Sequence, residues 1–406
     1  VTLAHAHIEG LGRRDVRVEH GVVHSLHLAG TAPPADTYVD LGGRWLRAAF
    51  CDPHVHLDKA LTGRFAPTNA VGLAGAIDAH QRVVEQGVGG HAELVDRACR
   101  TVDRLVLHGV LSIRAHVNVG DGLGLLHLAA MREVQRKYAH VLDIQLVAMV
   151  HTPVTGAEGS TNREWIRRAL SEVGADCIGG CPHLDPRPLD ALAVMFGAAV
   201  EAGVPVDLHT DETTDPAVFS LFELARSTER AGWHGRVAAS HCVSLSMQPG
   251  PTQRSAATAL ASAGVAVVAL PQTNLFLNSV GTTTAPPRGI APVTLLRESG
   301  VTVAAGSDNL QDPFNPVGDA DPLHTASLLV TAAHQLPHDA LEQVSNAGRA
   351  VLGLAPAGVA PGLAADLVAV PADNPAEVIA VCPPERLVFR AGRLVASTTV
   401  QHSLTF

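Results

Sequence analysis

The sequence predicts an α/β fold: a (β/α)8 TIM barrel carrying a small β-sandwich domain formed by both termini. Three observations predict it. Eight short apolar runs alternate with longer segments of helical spacing through the middle of the chain. Four of those runs lead into a histidine or an aspartate, where barrel strands present their functional side chains. The two ends of the chain share a different texture, short strands broken by glycine turns.

In order along the chain, residues 1–45 read as strands and turns. Val16, Val18, Val22 and Val23 are strand residues, 31–34 is a loop, and Gly42-Gly43 is a turn. From Leu46 the apolar runs are 48–51, 109–113, 143–150, 177–180, 206–209, 236–239, 265–270 and 301–305. Between them, 120–138, 161–173, 187–201 and 216–231 have helical length and amphipathic spacing. Residues 280–291, with three consecutive threonines and two prolines, read as a loop. An open doubly wound sheet lacks its usual mark, because no Gly-x-Gly-x-x-Gly turn follows a strand. Near the end, Pro361-Gly362 is a turn and 366–370, 387–389 and 394–396 are short strands, the last two joined through Ala391-Gly392-Arg393. The expected division is 46–354 for the barrel, with 1–45 and 355–406 pairing as the small domain.

Composition narrows the function. A net charge of -10 disfavours nucleic acid and anionic membranes as partners, since both repel it. No apolar run is long enough to span a bilayer, and residues 1–7 lack the basic and apolar regions of a signal peptide, so a cytoplasmic location is expected. The six cysteines include one close pair, Cys177 and Cys181, with no second pair to complete a zinc knuckle; buried free thiols are the expectation. Histidine is abundant, at 22 residues, which makes a histidine-built metal site worth seeking. A homo-oligomer is the general expectation for an oligomeric soluble protein, with no residue-level signal for it.

Four local patterns carry chemistry. His54-Val55-His56 places two imidazoles on one side of an extended segment, suited to a shared metal; an isolated surface pair is the alternative. His209, closing the run from Val206, is a third nitrogen ligand candidate. Glu212, three residues on, is placed to move protons, or is simply an acid at a helix start. His241 polarises a substrate carbonyl or orients a water, or rests neutral in the rim. Asp308, after an almost wholly apolar strand, adds a carboxylate, or caps a helix. A mixed nitrogen and oxygen set of this kind suits one divalent Zn or Fe ion better than calcium or magnesium. His116 and His183 line the pocket on this reading, and His5, His7, His20, His24 and His27 belong to the small domain.

These residues, in this order, resemble the amidohydrolase superfamily and within it the bacterial cytosine deaminase-like group. The resemblance runs from Phe50-Cys51-Asp52-Pro53-His54-Val55-His56-Leu57-Asp58-Lys59 through Gly179-Gly180-Cys181-Pro182-His183, Asp207-Leu208-His209-Thr210-Asp211-Glu212 and Ala239-Ser240-His241. It ends with Gly306-Ser307-Asp308-Asn309, Asp312-Pro313-Phe314 and Gly362-Leu363-Ala364-Ala365-Asp366-Leu367. It implies His54, His56, His209 and Asp308 as ligands of a single metal, Glu212 as proton shuttle, and His241 working with Asp308 around the attacking water. It places the ring-stacking aromatic at Phe314 and a substrate-facing lysine at Lys59. Two positions depart from the group: His151 stands where the cytosine enzymes have Gln, and Asn309 where they have Asp. No lysine occupies 177–180, which implies one metal. The implied activity is hydrolytic deamination of a small aminated heterocycle. Hydrolysis of a cyclic amide or a substituted amine is the alternative on the same scaffold, and a non-catalytic metal- or ligand-binding protein is the alternative of another class.

Overall fold

The computed structural model describes residues 1–66, 71–120, 122–401 and 403–405. Five strands come first: β1 (Thr2–Ile8), β2 (Gly12–Glu19), β3 (Val22–Leu28), β4 (Tyr38–Asp40) and β5 (Trp45–Ala48). Eight follow with helices between them: β6 (Phe50–Val55), β7 (Val110–Val119), β8 (Asp143–Val150), β9 (Cys177–Gly180), β10 (Val206–Thr210), β11 (Val237–His241), β12 (Val265–Ala269) and β13 (Val303–Ala305). The chain finishes on β14 (Leu367–Val370), β15 (Leu387–Arg390) and β16 (Arg393–Ser397).

Strands β6 to β13 pair in sequence order as one eight-stranded parallel sheet. The sheet closes on itself at a bridge between Val55 and Asp308. There His56 N donates to Asp308 O and Asp308 N donates to His54 O, both at 2.9 Å. The expected (β/α)8 barrel is therefore present. The helices that cover it include Leu221–Ala231, within the expected span, and Pro188–Ala202, which runs one residue past its expected end. Helices Gly72–Glu85 and His91–Leu107, between β6 and β7, were not marked by the sequence reading.

Two strands differ from expectation for physical reasons. The apolar run 48–51 straddles two sheets: Trp45–Ala48 pairs antiparallel with β14, and β6 begins only at Phe50. An unbroken apolar string hides such a switch. The run 109–113 continues to Val119, because Arg114, His116 and Asn118 alternate with apolar residues yet are all buried. Period-two polarity normally marks a solvent face; here it marks a polar barrel interior.

The terminal strands form a separate mixed sheet in the order β16-β15-β14-β5-β1-β2-β3, with β4 beside β1. It has its own core, including Leu3, Ile8, Val16, Leu41, Leu46, Leu367 and Phe389. Complete burial of a Leu or Phe side chain contributes about 1.5–3 kcal/mol, so this cluster holds both chain ends together. The β15–β16 turn is Ala391-Gly392, with φ of 50° and 78°. Positive φ at both central residues gives the twist a two-residue hairpin needs. The C-terminal segment is also tied to the barrel side by Arg386, whose buried guanidinium donates to Asp321 Oδ1 at 3.0 Å and to His108 O at 2.6 Å.

Candidate metal centre and pocket

Parallel strands all point the same way, so their C-terminal ends meet on one rim. His54 lies in β6, His56 follows it, His209 lies in β10, His241 ends β11, and Asp308 follows β13. Ligand atoms of His54, His209, His241 and Asp308 lie within 4.8 Å of one another, all buried. His56 adds a further ring: its Nε2 is 3.2 Å from His209 Nε2 and 3.2 Å from Asp308 Oδ1. His54 Nε2 is 3.5 Å from the same carboxylate oxygen.

The proton positions that this packing dictates leave a demand for a cation. His56 Nδ1 faces the carbonyl of His116 at 3.1 Å, and a carbonyl only accepts, so Nδ1 carries the hydrogen. Burial holds the His56 pKa down to about 4 and that of His209 well below the usual range. A neutral ring with its hydrogen on Nδ1 turns a bare lone pair at Nε2 toward Asp308. The His56 lone pair and the Asp308 carboxylate, buried against each other, repel unless a positive charge sits between them. The donor set fits a divalent metal that accepts nitrogen and oxygen ligands.

Backbone strain gathers here too. Asp211, His241, Cys242 and Asp308 have φ of 51°, 68°, 49° and 62°. Each such conformation costs about 1–3 kcal/mol and persists where the surroundings enforce it. Part of that enforcement is visible. Asp52 accepts from the backbone of His54 and Ser307, both at 3.2 Å, and from the Ser307 hydroxyl.

A cavity of about 520 Å³ opens over this group. Glu212, His241, Asp308, Lys59, His151, Asn309 and Phe314 all line it, so every expected site residue outside the ligand set reaches one space. Glu212 Oε1 lies 3.3 Å from His241 Nδ1. Burial, reinforced by the Asp308 charge, pushes the Glu212 carboxyl well above its ordinary range. Burial pushes His241 well below its own. Asn274 Nδ2 approaches the same ring nitrogen of His241, 3.0 Å from Nδ1.

The remaining residues take more individual positions. Lys59 Nζ sits 4.6 Å from the centre of the Phe314 ring, and both are buried. Asn309 is held at both ends of its amide: Nδ2 donates to Asp312 Oδ2 at 2.8 Å, and Oδ1 accepts from Thr273 at 3.5 Å. His116 and His183 were expected to line the pocket; neither is among the residues that form its wall. His116 stacks on His54 with ring centres 3.7 Å apart, and His183 Nδ1 donates to the His209 carbonyl at 3.2 Å. The sequence reading missed His80 and Asn118, which form part of the cavity wall with Nε2 and Nδ2 3.2 Å apart. The signal was present in the buried alternation of β7, which places Asn118 on the same side as His116.

A closed parallel barrel whose rim converges buried histidines and an aspartate on a cation site, beside a buried glutamate, defines a metal-dependent hydrolase. Residues 90–396 match the model of the Amidohydrolase family, and the chain belongs to that family. A pterin deaminase from Rhizobium rhizogenes is 29% identical over 392 residues, covering 95% of this chain and 89% of its own. An N-isopropylammelide isopropyl amidohydrolase from Pseudomonas sp. is 26% identical over 378 residues, covering 89% and 88%. The crystal structure of 5-methylcytosine deaminase from Klebsiella pneumoniae liganded with 5-fluorocytosine matches with a TM-score of 0.90 and 26% identity, over 100% of this chain and 99% of that one. No helix among the described residues is long and apolar enough to cross a membrane.

Proposed function

We propose that the protein is a metal-dependent hydrolytic deaminase of a small aminated heterocycle, in which water replaces an exocyclic amine and ammonia leaves. The observation that carries this reading is the union of two features in one cavity: a group of buried imidazoles around Asp308, and the buried Glu212 carboxyl beside it. His54, His56, His209 and Asp308 are the proposed ligands, and one Zn or Fe ion is the proposed occupant. When bound, such an ion lowers the pKa of a water molecule toward neutrality.

The chain's own residues then divide the work. Asp308 and His241 orient the water and take its proton as oxygen adds to the ring carbon bearing the amine. Glu212 donates its proton to the neighbouring ring nitrogen, so negative charge does not build there. Glu212, now ionised, takes the hydroxyl proton of the adduct and passes it to the amine, which departs as ammonia and leaves the ring carbon as a carbonyl; the proton held by Asp308 and His241 then restores Glu212. Phe314 offers an aromatic edge to the ring, while Lys59 and His151 face its polar groups. A pterin deaminase and a 5-methylcytosine deaminase among the relatives support an aminated ring as substrate. The isopropyl amidohydrolase keeps a substituted amine as the second reading of the leaving group.

The test is ammonia release from a panel of aminated pyrimidines, triazines, pterins and purines, on metal-loaded and chelated protein in parallel. Metal-dependent ammonia from one ring class, with product mass showing oxygen in place of the amine, is the expected result. Release of an alkylamine instead would favour the second reading. No metal-dependent turnover of any panel member, with metal verified as bound, would count against deamination.

A further inference from the structure

One proposed ligand is controlled from behind. His54 Nδ1 lies 2.9 Å from Ser240 Oγ, and Ser240 Oγ donates to Asp207 Oδ1 at 3.0 Å. A carboxylate only accepts, so the single Ser240 hydrogen goes to Asp207. The hydroxyl must then accept from His54, whose hydrogen therefore sits on Nδ1. Asp207 is fixed in turn by Arg114, whose Nη1 donates to Oδ2 at 2.7 Å. Arg114 is itself anchored on Gln145 Oε1 and the Val351 carbonyl, both at 3.0 Å. His54, Ser240 and Asp207 are fully buried and Arg114 is 2% exposed, so bulk water cannot stand in for any link.

We propose that Ser240 and Asp207 are positioning residues that lock His54 in the tautomer presenting a bare Nε2 to the metal, with Arg114 holding Asp207 in place. The proposal rests on His54 being a metal ligand. The strands explain why these residues are available. Asp207 precedes His209 by two positions on β10 and so shares its side of the strand. Ser240 is directly opposite His209 in the β10–β11 register. The same strand pair that carries two members of the rim group therefore carries the groups that orient a third.

The same atoms admit a rival use. Ligand atoms of His54, His116 and Asp207 also lie within 4.8 Å of one another, the geometry of a second cation site. Charge decides against it. The group contains one carboxylate, and the Arg114 guanidinium at 2.7 Å already neutralises it. A dication would meet that fixed positive charge in a dry interior, with Ser240 still bridging His54 to Asp207.

The experiment measures Zn2+ stoichiometry and affinity by chelator competition, and the absorption spectrum of Co2+-substituted protein, for wild type, Ser240→Ala, Asp207→Asn and Ser112→Ala. Ser112 is an equally buried strand serine outside this chain of hydrogen bonds. The expected result is one equivalent in wild type and affinity about 10–100-fold weaker in Ser240→Ala and Asp207→Asn. Their Co2+ spectra shift, while Ser112→Ala behaves as wild type. The spectrum reports the ligand set, which a loss of stability alone does not move; Ser240→Ala keeps the test open if Asp207→Asn fails to fold. Unchanged affinity and spectrum in Ser240→Ala would overturn the positioning role and leave the ligand assignment standing. Two equivalents in wild type would establish the rival site instead, and no binding in wild type would overturn both readings.

Discussion

A carboxyl group buried beside a second carboxylate keeps its proton, and that is the situation of Glu212 next to Asp308. Glu212→Gln removes the transferable proton while preserving shape. Turnover should fall about 10²–10⁴-fold, with Zn2+ affinity close to wild type; steady-state rates and chelator competition on the same preparation check both halves. Asp308→Asn removes the negative charge that faces His54 and His56, and metal binding itself should then be lost in the same competition assay. At this scale the sequence was informative wherever a polar residue interrupts an apolar strand. His54, His56, His209, His241 and Asp308 announce themselves that way, and the structure gathers them on one rim. Ser240, Asn274 and His80 were not legible. Their importance lies in which side chain of another element they touch, and no local pattern encodes that.

Elements were legible in proportion to how simply their burial followed their period. Strands β8 and β9 matched expectation because only Asp143 and Gln145, at the start of β8, interrupt their apolar and glycine residues. β7 was cut short because its interior face carries Arg114, His116 and Asn118. The hairpin between β15 and β16 was readable from Ala391-Gly392 alone. A Cβ at Gly392 would come within 2.5 Å of Val18 Cγ1, and φ there is 78°. Gly392→Ala should therefore destabilise the protein by about 1–3 kcal/mol, read as a lower denaturation midpoint with unchanged m-value. The helix Pro322–Ala333 has a titrating partner near its start: His324 Nδ1 lies 2.7 Å from Asp319 Oδ2. The bond to Asp319 raises the histidine pKa to about 10. A folded-state pKa above the unfolded value means stability that is complete below about pH 6.5. That contribution declines as pH climbs toward about 10. Half-exposure to solvent keeps the effect small. His324→Gln should flatten the fall in Tm between those two pH values relative to wild type, and parallel melting curves for the two proteins would contradict this.

Across the whole molecule, the terminal sheet and the barrel share a buried ionic contact, Arg386 with Asp321, that joins residues 65 positions apart. Removing one partner of such a pair strands the other, at about 3–5 kcal/mol. Arg386→Ala should lower unfolding free energy by that order, measured by denaturant titration. Metal removal acts on the same scale. Ligand held at 100 times its Kd adds about 2.7 kcal/mol to the folded state, so chelation should lower Tm reversibly. The manner in which the barrel closes gives that dependence a location. The joint between its first and last strands is short, made by Val55 and Asp308 and their neighbours, and proposed ligands stand on both sides of it. If His54, His56 and Asp308 hold an ion, they would clasp a joint that has little backbone hydrogen bonding to keep it shut. Chelated protein should breathe there first. Deuterium uptake at the amides of His56 and Asp308 would accelerate on chelation, while the amides in the middle of the long β7–β8 ladder keep their protection.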